Sequence, residues 1–189
     1  MPDSLFMKVR PFILFCACCL CMLVPMRVFA DVAGRVQALS RMKVTVPSVR
    51  LSAPDFTLPD LKLKSVSLSA YRGKLVLLNF WASFCAPCRR EMPALEHLWQ
   101  RYRGKGLVVL ALSADRDNLK RVENFITEGD YSFPILLDTA GKVRKIYEIR
   151  ALPTSYLIGR DGKFIGRVIG GRDWDSPQGR KMIERLLSR

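Results

Sequence analysis

Apolar and polar positions settle into two alternating rhythms from residue 53 onward. Continuous apolar runs at Leu75–Phe80 and Leu107–Ser113 have the length of buried strands. Between them Met92, Leu95, Leu98, Trp99 and Tyr102 recur three or four apart. That spacing predicts a helix over about 86–103, ended by Gly104 and Gly106. Pro93 falls inside it and should kink it, because proline removes an N–H and crowds the preceding turn. Leu119, Val122, Phe125 and Ile126 mark a second helix, with Asp115 or Asp117 as its cap. Phe133 to Leu137 reads as a strand, and Val143, Ile146 and Tyr147 as a short helix. Thr154–Ile158 and Lys163–Ile169 read as strands joined by a tight turn at Gly159-Arg160-Asp161-Gly162. Ser176-Pro177 opens a final helix, with serine as cap, proline in the first turn and Met182, Ile183, Leu186 and Leu187 as the apolar face. Ahead of all this, Leu61, Leu63, Val66 and Leu68 alternate as a small hairpin would, with Lys62 and Lys64 outward. The order is a hairpin followed by β-α-β-α-β-α-β-β-α, an α/β domain over residues 51–189.

The first fifty residues follow neither rhythm. Lys8 and Arg10 precede an apolar run from Phe12 to Val24, closed by Pro25. This length suits a signal-peptide core and falls short of the ~20 residues of a membrane span. Val28-Phe29-Ala30 offers a cleavage site before Asp31, although Arg27 beside it is not ideal. Residues 1–30 therefore read as a signal peptide or a membrane anchor, and the domain as extracytoplasmic, either periplasmic or tied to the inner membrane. Cys16, Cys18, Cys19 and Cys21 inside the run read as small apolar fillers, with lipidation of one of them an alternative, since Phe15-Cys16-Ala17-Cys18 resembles a lipoprotein cleavage motif with a poor fit at its first position. Residues 31–50 carry Arg35, Arg41, Lys43 and Arg50 without an acid after Asp31, and read as a basic linker.

The formal net charge is +14, and Lys8, Arg10 and Arg27 set against Asp3 leave +12 on the rest. From Asp55 onward the bases are interspersed with acids, no nucleic-acid motif occurs, and an exported chain does not meet nucleic acid. A basic face toward a membrane or an acidic partner is the milder reading.

Export leaves two cysteines, Cys85 and Cys88, in Phe84-Cys85-Ala86-Pro87-Cys88-Arg89-Arg90-Glu91-Met92-Pro93. The pair falls where a strand ends and a helix begins. Unpartnered N–H groups and the helix dipole favour negative charge there, so Cys85 should ionise readily, and the thiolate is the reactive form. Cys88 lies about one turn on and can close a disulfide with it. Zinc is the competing reading, but a second ligand pair is missing and His97 follows Glu96 on the expected outer helix face. No cofactor is called for. His97 and Trp174 read as surface or loop residues.

The strand order and Phe80-Trp81-Ala82 before Cys85-Ala86-Pro87-Cys88 resemble thioredoxin's active-site run. Pro93 stands where that family kinks its helix, and Ile149-Arg150-Ala151-Leu152-Pro153-Thr154 resembles its cis-proline segment. Ala53-Pro54-Asp55-Phe56, the hairpin, Asn79 in place of a buried acid, and Glu91-Met92-Pro93 are most similar to the TlpA/ResA-like exported thiol-disulfide oxidoreductases. The resemblance implies a thioredoxin-like mixed sheet flanked by helices, with an N-terminal hairpin extension. It also implies a dithiol/disulfide couple of Cys85 and Cys88, with Glu91 handling a proton, and a surface of Trp81, Leu152 and cis-Pro153 that meets the substrate. Disulfide-bearing proteins would be the substrates, cytochrome c maturation a leading role, and a CcdA/DsbD-type membrane carrier the electron donor. A redox-gated binding module without turnover is the alternative. Peroxide reduction ranks low, since Ala82 stands where those enzymes carry Thr or Ser.

Overall fold

The computed structural model describes residues 32–188. The leader expected over residues 1–30, with its four cysteines, lies outside the described residues. The chain divides into two units after Gln37, and residues 32–37 of the first are helical, within α1 (residues 32–41). Among the described residues no helix is long and apolar enough to cross a membrane.

The second unit begins its sheet structure with a hairpin of β1 (Thr57–Pro59) and β2 (Ser65–Ser67). Leu61 and Leu63, expected in its strands, lie in the connection instead. The Asp60 carboxylate accepts from the N–H groups of Lys62 and Lys64, which folds the chain into a turn there. Five further strands form the main sheet: β3 (Leu75–Trp81), β4 (Leu107–Ser113), β5 (Ile135–Leu137), β6 (Thr154–Ile158) and β7 (Phe164–Ile169), in the order β5-β4-β3-β6-β7. β3, β4 and β5 run parallel, β6 is antiparallel to β3, and β7 to β6. This is the mixed sheet that the resemblance implies, with α2 (Ala86–Tyr102), α3 (Leu119–Glu128), α4 (Lys142–Ile146) and α5 (Pro177–Leu187) around it.

β3 and β4 are buried along their whole length, as unbroken apolar runs require. Their alternation serves two cores. Leu75, Leu77 and Trp81 pack with Met92, Leu95 and Leu98 of α2, Val122 of α3, and Met182 and Ile183 of α5. Val76, Leu78 and Phe80 pack on the opposite face with Phe56, Leu68, Val143 and Tyr147. Each fully buried side chain of this size contributes about 1.5–3 kcal/mol. Asn79 falls on the α2 face by the period of two, a polar residue where apolar ones surround it.

Two local expectations give way to tertiary contacts. α3 is capped by Asn118, whose side chain accepts from Arg121 N at 2.9 Å, because Asp115 is engaged elsewhere. Helix α2 contains Pro93, as the spacing predicts, with the proline on its exposed side. The basic linker drawn over 31–50 is also too long. Ala38, Leu39, Met42 and Val44 are buried in the α2-side core, and Thr45 exchanges hydrogen bonds of 2.8 and 2.9 Å with Arg167 of β7. This segment shields part of a sheet edge that would otherwise offer unpaired backbone groups.

Candidate active site

Trp81 ends β3, and four residues carry the chain into α2. The turn is held from beneath by Asp115, just beyond the end of β4. Its carboxylate accepts from Ser83 N at 2.9 Å, Ser83 Oγ at 2.6 Å and Ser113 Oγ at 2.8 Å, and the residue is buried. Ala114 N donates to Trp81 O at 2.7 Å. Asp115 is one of the two residues the sequence offers as the α3 cap, together with Asp117; the parallel pairing of Trp81 with Ser113 brings it under the loop instead.

Cys85 is the N-cap of α2, with extended backbone, and its Sγ accepts from Cys88 N at 3.3 Å. Pro87 occupies the first turn, where a missing N–H leaves no helix bond unmade. The two cysteines form a disulfide with S–S 2.08 Å. Cys85 is half-buried beside exposed Phe84, whereas Cys88 is fully buried. An N-cap sulfur faces the free amides of the first turn, so in the reduced protein its thiolate is the stabilised form.

Glu91 lies one turn past Cys88 and is 4% exposed. Three donors reach its carboxylate: Asn79 Nδ2 at 2.7 Å on Oε1, then Arg172 N at 3.0 Å and Trp174 Nε1 at 3.3 Å on Oε2. Burial raises its pKa to about 7, against the pull of these hydrogen bonds. Asn79 also donates to Ser155 Oγ at 2.9 Å, while its own Oδ1 is buried without a partner. Amide orientation follows the surrounding network. With Glu91 protonated, a rotated Asn79 presents Oδ1 to the carboxyl O–H, and the Ser155 hydroxyl reverses to match. The same residues therefore accommodate both protonation states.

The Leu152–Pro153 bond is cis. Pro153 leads into β6, and its C=O accepts from Gly170 N at 2.8 Å. An atom at the Cβ position of Gly171 would lie 3.3 Å from Pro87 O, 3.7 Å from Glu91 Oε2 and 3.9 Å from Pro153 Cγ. The cysteine turn, the carboxylate and the cis-proline loop thus meet around one glycine.

Two sequence readings are corrected here. Trp81, expected at the surface that meets substrate, is fully buried, with its ring 5.4 Å from that of Phe125. It belongs to the core beneath the cysteines and has no area to offer a partner. Trp174, read as a surface or loop residue, does lie in a turn ahead of α5, but it is fully buried and donates to Glu91. Nothing chemically complementary adjoins it in the sequence, and no spacing rule links position 174 to 91. His97 does lie at the surface, 3.7 Å from Asp175.

The sequence model of the AhpC/TSA family matches residues 49–165. The chain belongs to this family. Thiol-disulfide oxidoreductase ResA of Bacillus thuringiensis subsp. konkukian is 42% identical over 118 residues, which span 62% of this chain and 68% of the relative. Among solved structures, a Chlorobium tepidum protein described as a DsbE-type thiol:disulfide interchange protein is 33% identical with TM-score 0.67, over 72% of this chain and 96% of the other. A thiol-disulfide oxidoreductase from Bacteroides fragilis NCTC 9343 is 32% identical with TM-score 0.62, over 70% and 99%. The chain is a ResA-like thiol-disulfide oxidoreductase of thioredoxin-like fold, and disulfide-bearing molecules are its substrates.

Proposed function

We propose that this oxidoreductase works as a reductant of protein disulfides outside the cytoplasm, with Cys85 as nucleophile, Cys88 as resolving thiol and Glu91 as proton carrier. The observation that carries the reading is the placement of a half-exposed N-cap sulfur against a buried one, with a buried carboxyl titrating at about 7 on the next turn. In the reduced enzyme the Cys85 thiolate attacks one sulfur of a substrate disulfide. That S–S bond breaks, a mixed disulfide forms, and the first substrate sulfur leaves as a thiolate and takes up a proton. Glu91 then accepts the Cys88 proton, and the Cys88 thiolate attacks Cys85 Sγ. The mixed disulfide breaks, the second substrate sulfur leaves and receives the proton, and two electrons have passed to the substrate. The enzyme is left with the Cys85–Cys88 disulfide described above.

Leu152 and Pro153 form the docking edge. Among the described residues no backbone hydrogen bond engages Leu152, so its N–H and C=O can pair with an extended substrate segment. Peroxide chemistry is the less favoured reading despite the family's name, because buried Ala82 supplies no hydroxyl three residues before Cys85. Reductive turnover outside the cytoplasm requires an electron supply. A membrane carrier of the CcdA/DsbD type, export by the leader and substrates in cytochrome c maturation complete the proposal.

The test is to express the full chain carrying Cys88→Ser in its native compartment and identify trapped mixed disulfides by mass spectrometry. Covalent complexes that depend on Cys85 and vanish in Cys85→Ser are expected. A variant that traps nothing, together with purified wild-type protein that fails to reduce insulin, would refute the reading.

A further inference from the structure

On the Phe84 side of the disulfide lies a groove of about 600 Å³. Phe84 and Phe125 provide its apolar surface, and Arg89, Lys120 and Arg121 its charge, with Glu128 also present. Phe84 is 67% exposed and directly precedes Cys85. Arg89, one turn beyond Cys85, places its guanidinium 5.2 Å from the centre of the Phe125 ring. Arg89, Lys120 and Arg121 are exposed, and among the described residues none of them forms an ion pair.

Two of these cations occupy an unfavourable place for folding. Lys120 and Arg121 lie in the first turn of α3, which contains no acid. Helix dipoles favour anions at that end and disfavour cations. Their charge is therefore directed outward, adding to the positive end of the helix itself, toward the groove that opens beside Cys85. An anionic segment laid there would meet three cations that form no ion pair among the described residues, beside the exposed ring of Phe84, while Arg89 already lies over the Phe125 ring.

We propose that this groove receives the acidic stretch of a partner protein adjoining its disulfide, and thereby selects among the oxidised proteins that the enzyme reduces. The inference rests on the reductase reading above and specifies its substrate class. Charges at the rim of such a contact act on encounter rate and its salt dependence. Two or three exposed pairs together change a rate by about tenfold at low salt.

The enzyme is reduced with dithiothreitol, freed of it, and mixed with peptides carrying one internal disulfide and flanks of Glu, Ser or Lys. The transfer is thiol–disulfide exchange, so the peptide gains the two electrons and protons that the Cys85/Cys88 pair loses. Rates should fall in the order Glu, Ser, Lys, spanning about tenfold at low salt and converging at high salt. Lys120→Glu/Arg121→Glu should erase or reverse the order. Lys142→Glu/Lys145→Glu makes the same change in net charge on α4, whose Val143 packs on the opposite face of the sheet, and should keep it. Equal rates for the three peptides would overturn the proposal, as would equal loss of preference in both double variants, which assigns it to the field of the whole molecule. Hydroxyethyl disulfide, small and uncharged, separates the two levels: its reduction with no peptide preference sinks the groove alone, whereas its non-reduction sinks the reductase reading.

Discussion

Replacing Glu91 by Gln should abolish a pH dependence of stability that the wild-type protein carries. In the folded chain the Glu91 carboxyl is raised from 4.5 to about 7, by burial that outweighs its hydrogen bonds from Arg172, Asn79 and Trp174. In the unfolded chain it returns to its ordinary value. Between those limits the folded protein holds a proton that the unfolded chain has released, so stability falls as pH rises through the window. At ~1.4 kcal/mol per pKa unit the rise corresponds to about 3 kcal/mol, absent at low pH and fully developed above neutrality. The group is 4% exposed, so solvent screening takes little from this figure. Gln has the same shape and no titration. Its NH₂ meets the rotated Asn79 Oδ1 and its carbonyl keeps the bonds from Arg172 and Trp174, so whatever penalty it introduces is constant with pH. Urea unfolding of oxidised wild-type and Glu91→Gln protein across this pH range provides the assay. The difference in unfolding free energy should shift in favour of the variant by about 3 kcal/mol from the acid to the alkaline end. Parallel curves for the two proteins would refute the argument, since they would mean that Glu91 titrates alike in both states.

Asn79→Asp places a second carboxyl 2.7 Å from Glu91 Oε1, and two such groups cannot both ionise readily. The fall in stability should extend to higher pH than in wild type, as read by the same urea series. Asp115→Asn leaves one acceptor oxygen where three donors from Ser83 and Ser113 converge. It should lower stability by about 1–3 kcal/mol and speed hydrogen exchange at Ser83 N–H, measured by mass spectrometry; unchanged exchange would contradict the clamp. Gly179→Ala drives a methyl into Trp174 O and to 2.9 Å from its carbonyl carbon, both backbone atoms that cannot swing aside. The loss should be about 1–3 kcal/mol or more in urea unfolding, and larger than for Gly171→Ala, whose nearest contact is 3.3 Å.

Residues within a turn or two of one another were largely settled by the sequence. The apolar runs of β3 and β4, the Ser176 cap whose Oγ accepts from Gly179 N at 3.1 Å, and the cysteine pair at the start of α2 all follow from spacing and backbone chemistry. Periodicity suffices there because each partner is fixed by helix or strand geometry. The environment of Glu91 is different. Asn79 Nδ2 comes from a neighbouring strand 12 residues away, and Trp174 Nε1 from a loop 83 residues away. Asp115 reaches Ser83 only because β4 pairs with β3 in one register, and Ala38, Leu39, Met42 and Val44 are buried in one cluster with residues of α2 and α5 that are distant in the chain. A carboxyl or an indole written in the chain has no local signal of burial; sheet register and helix packing decide what desolvates it. The sequence thus determined which groups could do redox chemistry, while the tertiary structure set the proton affinity and the neighbours with which they do it.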